Sequence, residues 1–301
     1  MREAVFSSTG FRIRAAQGRA AGSGLTRWAE HAAASLFFTL FPADCRICGS
    51  PLIRISRLPV CESCLHALRP LDGSYCTVCG EALLAPAFLD SVDALCGLCQ
   101  SAHPPFERAV AYGGYEGGLR DLIHLLKYQQ VRPAAAVLGR MLGETLANLE
   151  PTLPGGTMAV VPVPLHARKL AQRGFNQSER IARAALKHVA QPSRYELLTG
   201  VLERIRETRS QIGLTRHQRR ENLRGAFAVK TVGAIADREV LLVDDVFTTG
   251  TTVSECARVL QRAGANRVWV ATLARTLKVT SMFAVPELGE EEERFAAAAN
   301  V

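Results

Sequence analysis

Between residues 104 and 276, two patterns of apolar positions alternate along the chain. Short dense runs mark buried strands at residues 108–112, at 158–163 (closed by Pro162 and Pro164), at 240–243, and at 267–273, the last ending on Ala274-Arg275-Thr276. Stripes at helical spacing lie between them. Leu119, Leu122, Ile123 and Leu126 form the first, and Leu138, Leu142 and Leu146, flanked by Val137 and Met141, the second. Ile181, Ala185 and Val189 align in a helix over about residues 178–189, and Val253, Ala257 and Leu260, widened by Cys256, Val259 and Ala263, form the last. Residues 112–118, rich in glycine, read as a flexible turn. Strands alternating with helices predict an α/β unit on a parallel sheet.

The flanks lack this alternation. Residues 1–24 are rich in Arg, Ala, Gly and Ser, which predicts disorder, with an organelle transit peptide as the alternative. A helix is expected over residues 25–41, packing on the unit that follows; a signal peptide is the other reading. Its roughly ten apolar residues cannot span a hydrocarbon layer of ~30 Å, so no membrane span is expected. The acidic tail beyond Ser281 is expected to be disordered.

Cysteine spacing changes the picture at the N-terminal end. Eight of nine cysteines form four Cys-x-x-Cys pairs: Cys45/Cys48, Cys61/Cys64, Cys76/Cys79 and Cys96/Cys99. Two thiolates on one tight knuckle reach one tetrahedral Zn²⁺, and two knuckles complete a sulfur tetrad, so four knuckles imply two structural zincs. Sequential pairing is the simpler arrangement; the spacing does not exclude a crossed one. All eight ligands close the sites, which leaves no open position for catalysis. The segment has too few large apolar residues for a core of its own, so metal supplies much of its folding free energy. The ninth cysteine, Cys256, belongs to an apolar helix face.

Charge adds a direction. The chain carries a formal net charge of +8, and residues 160–230 hold fifteen Lys/Arg against five Glu. An anionic partner follows, either a small polyphosphate or nucleic acid.

The chemistry concentrates at residues 240–252. An apolar strand ends in the carboxylates Asp244 and Asp245, then Thr248, Thr249, Gly250, Thr251 and Thr252 lead into a helix. Backbone amides of such a loop at a helix N-terminus suit a phosphate monoester. Neighbouring carboxylates would repel phosphate unless they face sugar hydroxyls, with Mg²⁺ shared between sugar and pyrophosphate. No Walker sequence and no Gly-x-Gly-x-x-Gly after a strand is present. The combination resembles the 5-phosphoribosyl-1-pyrophosphate (PRPP) site of type I phosphoribosyltransferases. Phe247 departs from that family's usual aliphatic residue, and Thr248 stands where purine-using members carry a carboxylate. A second anion site follows the strand at 158–163, where Arg168, Lys169, Arg173 and Gly174 form a basic loop before a helix N-terminus. Lys127, at the end of its helix, is placed either at the site or on the surface.

Further blocks narrow the resemblance. Pro162-Val163-Pro164, then Arg173-Gly174-Phe175-Asn176-Gln177, and the later set Arg204, Arg206, Thr208, Gln211, Leu214, Arg219, Asn222, Ala226 and Phe227 are similar to the ComF family, which includes ComFC and GntX. The likeness covers roughly residues 36–276. It implies a type I phosphoribosyltransferase fold carrying an N-terminal zinc-ribbon-like Cys₄ unit. The corresponding division is an extension at 1–35, a double zinc-knuckle unit at 36–103, the transferase unit at 104–280 and a tail at 281–301. Catalytic roles fall on Asp244, Asp245 and Arg173, pyrophosphate binding on Arg168, Lys169, Arg173 and Gly174, and 5′-phosphate binding on residues 248–252. Arg204, Arg206, Gln211, Arg219 and Asn222 read as a flap over bound PRPP, or else as an exposed amphipathic helix. The resemblance implies a cytoplasmic PRPP- and Mg²⁺-dependent transferase linked to DNA uptake. The alternative is a non-catalytic PRPP-sensing or single-stranded-DNA-handling factor working with competence-machinery proteins.

Overall fold

The computed structural model describes residues 44–52, 56–84, 94–208, 216–277 and 280–281. The expected N-terminal helix, the acidic tail and Gln211 lie outside the described residues. In chain order the principal elements are α1 (Glu62–His66), β1 (Leu83–Leu84), α2 (Gly97–Ser101), β2 (Arg108–Gly114), α3 (Gly117–Tyr128), α4 (Ala134–Leu149), β3 (Met158–Pro162), α5 (Ala167–Arg173) and α6 (Gln177–Ala185). There follow β4 (Tyr195–Leu197), β5 (Leu202–Arg204), α7 (Arg216–Leu223), β6 (Phe227–Val229), β7 (Glu239–Phe247), α8 (Thr251–Arg262), β8 (Val268–Arg275) and β9 (Thr280–Ser281).

Five strands form one parallel sheet in the order β2-β8-β7-β3-β4. The central strands β3, β7 and β8 are almost wholly buried along their length, which is why they read as continuous apolar runs rather than alternating ones. One face is covered by α3, α4 and α6. The stripe residues Leu119, Leu122, Ile123, Leu126, Leu138, Leu142, Leu146 and Ile181 are buried there, as their spacing predicts. The other face is covered by α8 through Val253, Cys256, Ala257 and Leu260. Helices on both faces of a parallel sheet give the expected α/β class.

Several local readings change. The turn expected at 112–118 is shorter: β2 runs on to Gly114, because pairing with β8 continues to Arg275, and α3 begins at Gly117. The basic loop is helical, since His166 caps α5 through its ring nitrogen and Gly174 ends it at φ 76°. The helix expected to reach Val189 stops at Ala185. Arg204, expected in the flap, lies in a strand. It ends β5, which pairs antiparallel with β6.

The cysteine unit shares its core with the sheet. Cys45, Leu52, Leu58 and Val60 belong to the same cluster as α3 and α4. Its backbone is also tied to β2, where Ala109 donates to the Val78 carbonyl at 2.7 Å and Leu71 donates to that of Tyr112 at 2.7 Å. At the far end, β9 pairs parallel with β1.

Candidate functional site

The strand order fixes where the site lies. From β3 the chain moves outward to β4, whereas from β7 it moves the opposite way to β8, so the crevice between the C-terminal ends of β3 and β7 is a topological switch point. Open α/β sheets bind ligands in such a crevice. The acidic pair lies near the C-terminal end of β7 with the hydroxyl loop directly after it, and the basic segment follows β3, so they meet there.

Asp244 and Asp245 are buried. Asp244 Oδ1 accepts hydrogen bonds from Ser178 Oγ at 3.0 Å and from the Asp245 amide at 2.9 Å. Burial, reinforced by the neighbouring Asp245 charge, pushes the Asp244 carboxyl up to about 7, while Lys127 and the two donors work against the rise. Lys127 Nζ forms an ion pair with Asp245 Oδ2 at 2.9 Å. Burial opposes the Lys127 charge, yet the carboxylates of Asp245 and Asp244 hold its pKa above the ordinary lysine value. One cation thus offsets the repulsion between two adjacent carboxylates. Lys127 is a site residue, not a surface one.

Beyond the pair, Gly250 adopts φ 74° and caps α8. A Cβ there would lie 2.6 Å from the Phe247 ring, so glycine is needed for both the backbone angle and the close approach. Thr249 and Thr251 join their hydroxyls at 2.8 Å. The first amides of a helix have no intrahelical acceptor, which leaves the start of α8 facing the loop as a donor set.

On the basic side, Gly174 allows the chain to turn after α5, and Asn176 caps α6 by accepting from the Ser178 amide at 3.0 Å. That cap places the Ser178 hydroxyl on Asp244. Arg173 donates to Gln177 Oε1 and lies 5.8 Å from the centre of the exposed Tyr128 ring. Burial, then Arg204 and Arg173, lowers the Lys169 pKa. Arg168 is exposed and pairs with Glu207 at 3.3 Å.

The third block is anchored at its base. Arg204 is half-buried beside the Phe227 ring and donates to Thr208, while Arg206 donates to the carbonyls of Asn222 and Arg224 at 3.0 and 2.7 Å. Arg219 on α7 reaches the hydroxyl loop, donating to Thr248 Oγ1 at 3.2 Å. A cavity of about 340 Å³ opens beside this contact, with Phe106, Phe247, Thr248, Arg219 and Arg275 in its wall.

Both cysteine groups are assembled sequentially, Cys45, Cys48, Cys61 and Cys64 in one and Cys76, Cys79, Cys96 and Cys99 in the other. The crossed pairing is therefore excluded. Sulfur separations are 3.9 Å for Cys45 and Cys64, 3.7 Å for Cys48 and Cys61, and 3.6 Å for Cys79 and Cys96. A tetrahedron with Zn–S bonds of ~2.3 Å has edges of about 3.8 Å, so the thiols present fit the metal. Gly49 and Gly80, at φ 73° and 71°, close a knuckle in each tetrad.

Sequence reasoning did not find Ser178, Glu81 or Arg275 as site neighbours. Ser178 carries a usable signal, as the second residue after the Asn176 cap. Glu81 and Arg275 carry none, because they meet only across the fold.

Comparisons with known proteins agree with this arrangement. Residues 36–102 match the double zinc ribbon domain and residues 170–282 the phosphoribosyl transferase domain. The chain is 34% identical over 237 residues to the DNA utilization protein YhgH of Salmonella typhimurium, covering 78% of this chain and 98% of that protein. It is 29% identical to competence protein F of Haemophilus influenzae, over 74% of this chain and 93% of that one. With competence protein ComFC of Bacillus subtilis it shares 23% identity, over 72% of this chain and 84% of that one.

Proposed function

Because the chain belongs to the ComF family of phosphoribosyltransferase-like proteins, we propose that it binds PRPP in the crevice between β3 and β7 and transfers the phosphoribosyl group to an acceptor, releasing pyrophosphate. The observation that carries this reading is the Ser178–Asp244 hydrogen bond, which ties the basic segment to the acidic pair at the switch point. A 5′-phosphate fits the amides and hydroxyls of residues 248–252, and ribose hydroxyls fit Asp244 and Asp245. Pyrophosphate falls to Lys169, Arg173 and the Gly174 turn, with Arg168 further out. The Arg219–Thr248 contact supports α7 as the part of the third block that closes on bound sugar phosphate.

Displacement at the anomeric carbon builds positive charge on the ribose ring, so the work of these residues is orientation and charge stabilisation. Asp244 and Asp245 hold the hydroxyls and favour the cationic ring. The cationic segment holds the departing pyrophosphate. Mg²⁺ fits the remaining carboxylate oxygens together with substrate oxygens, and when bound it neutralises charge on the leaving group.

The division into a zinc unit at 36–103 and a transferase unit at 104–280 is part of this proposal, as is a cytoplasmic location. Among the described residues no helix is long and apolar enough to cross a membrane. The relatives' names, DNA utilization protein and competence protein F, support a role in handling imported DNA. A non-catalytic reading, PRPP sensing coupled to single-stranded DNA or competence proteins, draws on a groove of about 920 Å³ whose wall includes Arg220, Arg224, Arg258 and Arg262. The deciding experiment measures pyrophosphate release from PRPP and Mg²⁺ with purine, pyrimidine and amine acceptors, with and without single-stranded DNA. Turnover with one acceptor supports transfer. PRPP binding without turnover, together with steeply salt-dependent DNA binding that survives loss of both aspartates, favours the non-catalytic reading.

A further inference from the structure

Phe247 stands where the resembled family has an aliphatic residue, and its surroundings give the ring a task. The Arg275 guanidinium lies 4.6 Å from the ring centroid. Phe106 meets the ring edge-on, with centroids 6.2 Å apart, and a Cβ on Gly250 would lie 2.6 Å from the ring's Cζ. The Phe247 carbonyl accepts from the Thr276 amide at 3.0 Å. Arg275 itself is 3% exposed. Its guanidinium donates to the Cys79 carbonyl, pairs with Glu81, and comes within 3.9 Å of Cys79 Sγ. Cys79 belongs to the second tetrad. Contacts therefore run without a break from that tetrad through Arg275 and Phe247 to Gly250, the cap of α8. The first tetrad instead packs near α3, where Leu68 and Ile47 lie against Gly118.

A zinc ion bound by four thiolates leaves a net negative tetrad, which favours the adjacent guanidinium and fixes its plane. The guanidinium lies against the Phe247 ring, and the ring leaves no room for a side chain at Gly250. We propose that Arg275 and Phe247 are positioning residues through which the second zinc tetrad sets the geometry of the phosphate loop, so that zinc retention there and phosphate-ester binding are coupled. This rests on the reading that residues 248–252 take the 5′-phosphate of PRPP. Coupling between two sites is reciprocal, so PRPP must hold zinc in the second tetrad as firmly as zinc supports PRPP.

Zinc release from the full chain to a chromophoric chelator, with and without PRPP and Mg²⁺, tests it. The two release phases are assigned with a Cys48→Ser variant, which perturbs the first tetrad. PRPP is expected to slow release from the second tetrad about 5-fold or more and to leave the first within about twofold. Phe247→Leu should keep both zincs, bind PRPP at least about 5-fold more weakly and lose the effect on release. PRPP binding that slows neither phase, slows both equally, or still acts through Phe247→Leu overturns the proposal. If the wild type binds no PRPP, the functional reading fails, and amide hydrogen exchange at residues 248–252 decides the coupling without ligand. Faster exchange on zinc depletion in the wild type but not in Phe247→Leu supports it, and equal behaviour of the two proteins sinks it.

Discussion

At the residue scale, the site is built on Lys127, Asp244 and Asp245, three charged groups drawn into the core. Their burial is what makes each one consequential. Lys127→Met would leave Asp245 buried without its cation, and breaking such a pair costs about 3–5 kcal/mol. Chemical denaturation should show that loss, and the double variant Lys127→Met/Asp245→Asn should recover most of it. Asp245→Asn alone should abolish measurable PRPP binding by calorimetry if its carboxylate holds a ribose hydroxyl; unchanged affinity would remove it from that role. Asp244 titrates in the opposite sense to an ordinary paired carboxylate. Its folded pKa of about 7 lies above the usual 3.8, so its contribution to stability is fully present below about pH 4 and lost as pH rises through 7. Asp244→Asn should therefore match the wild type below about pH 4, gain on it steadily as pH rises towards 7, and exceed it by roughly 2–4 kcal/mol at pH 8, read from urea midpoints across pH. The carboxylates and the hydroxyl loop were legible because their spacing is local. The partners were not: Ser178 lies 66 positions from Asp244, and no periodicity links them.

Elements follow the same division. Helix stripes and central strands were readable because burial on one or both faces writes a period into the chain. The short strands β4, β5 and β6 were missed, since three residues are too few to show one. The charges of helix α5 give it the look of a loop in sequence and conceal a cap at His166 and a stop at Gly174. Packing between α4 and α6 carries a different kind of information. A Cβ on Gly139 would sit 2.3 Å from Ala184 Cβ, and one on Gly143 would sit 2.8 Å from His188 Cβ. Alanine would favour the helix by about 1 kcal/mol at either position. The overlap outweighs that gain, and Gly139→Ala should lower stability by roughly 1–3 kcal/mol in thermal or urea unfolding. A rise in stability would mean that the two helices can move apart freely.

Over the whole molecule, the zinc unit and the sheet are one structure in energetic terms, because Cys45, Leu52, Leu58 and Val60 pack in the cluster that holds α3 and α4. Composition alone suggests a small unit standing beside a larger one; shared burial is invisible until the chain is folded. Removing zinc should consequently destabilise the sheet as well as the knuckles. Calorimetry after chelation should show a single transition shifted to lower temperature, with no surviving transition at the original Tm for the transferase unit.

The Arg275–Glu81 pair also sets a timetable. Its partners lie 194 positions apart, and synthesis proceeds at roughly 5–20 residues per second, so Glu81 waits about 10–40 s on the ribosome before Arg275 exists. During that interval Leu83, Cys76, Cys96 and Cys99 have their own small cluster to hold them. Nascent knuckles that capture metal early await the sheet as a finished surface. Those that do not must keep four free thiols from oxidation until the last core strand emerges. The yield of zinc-loaded chain should then rise more when zinc is supplied during synthesis than when it is added afterwards, read from the metal content of the purified protein.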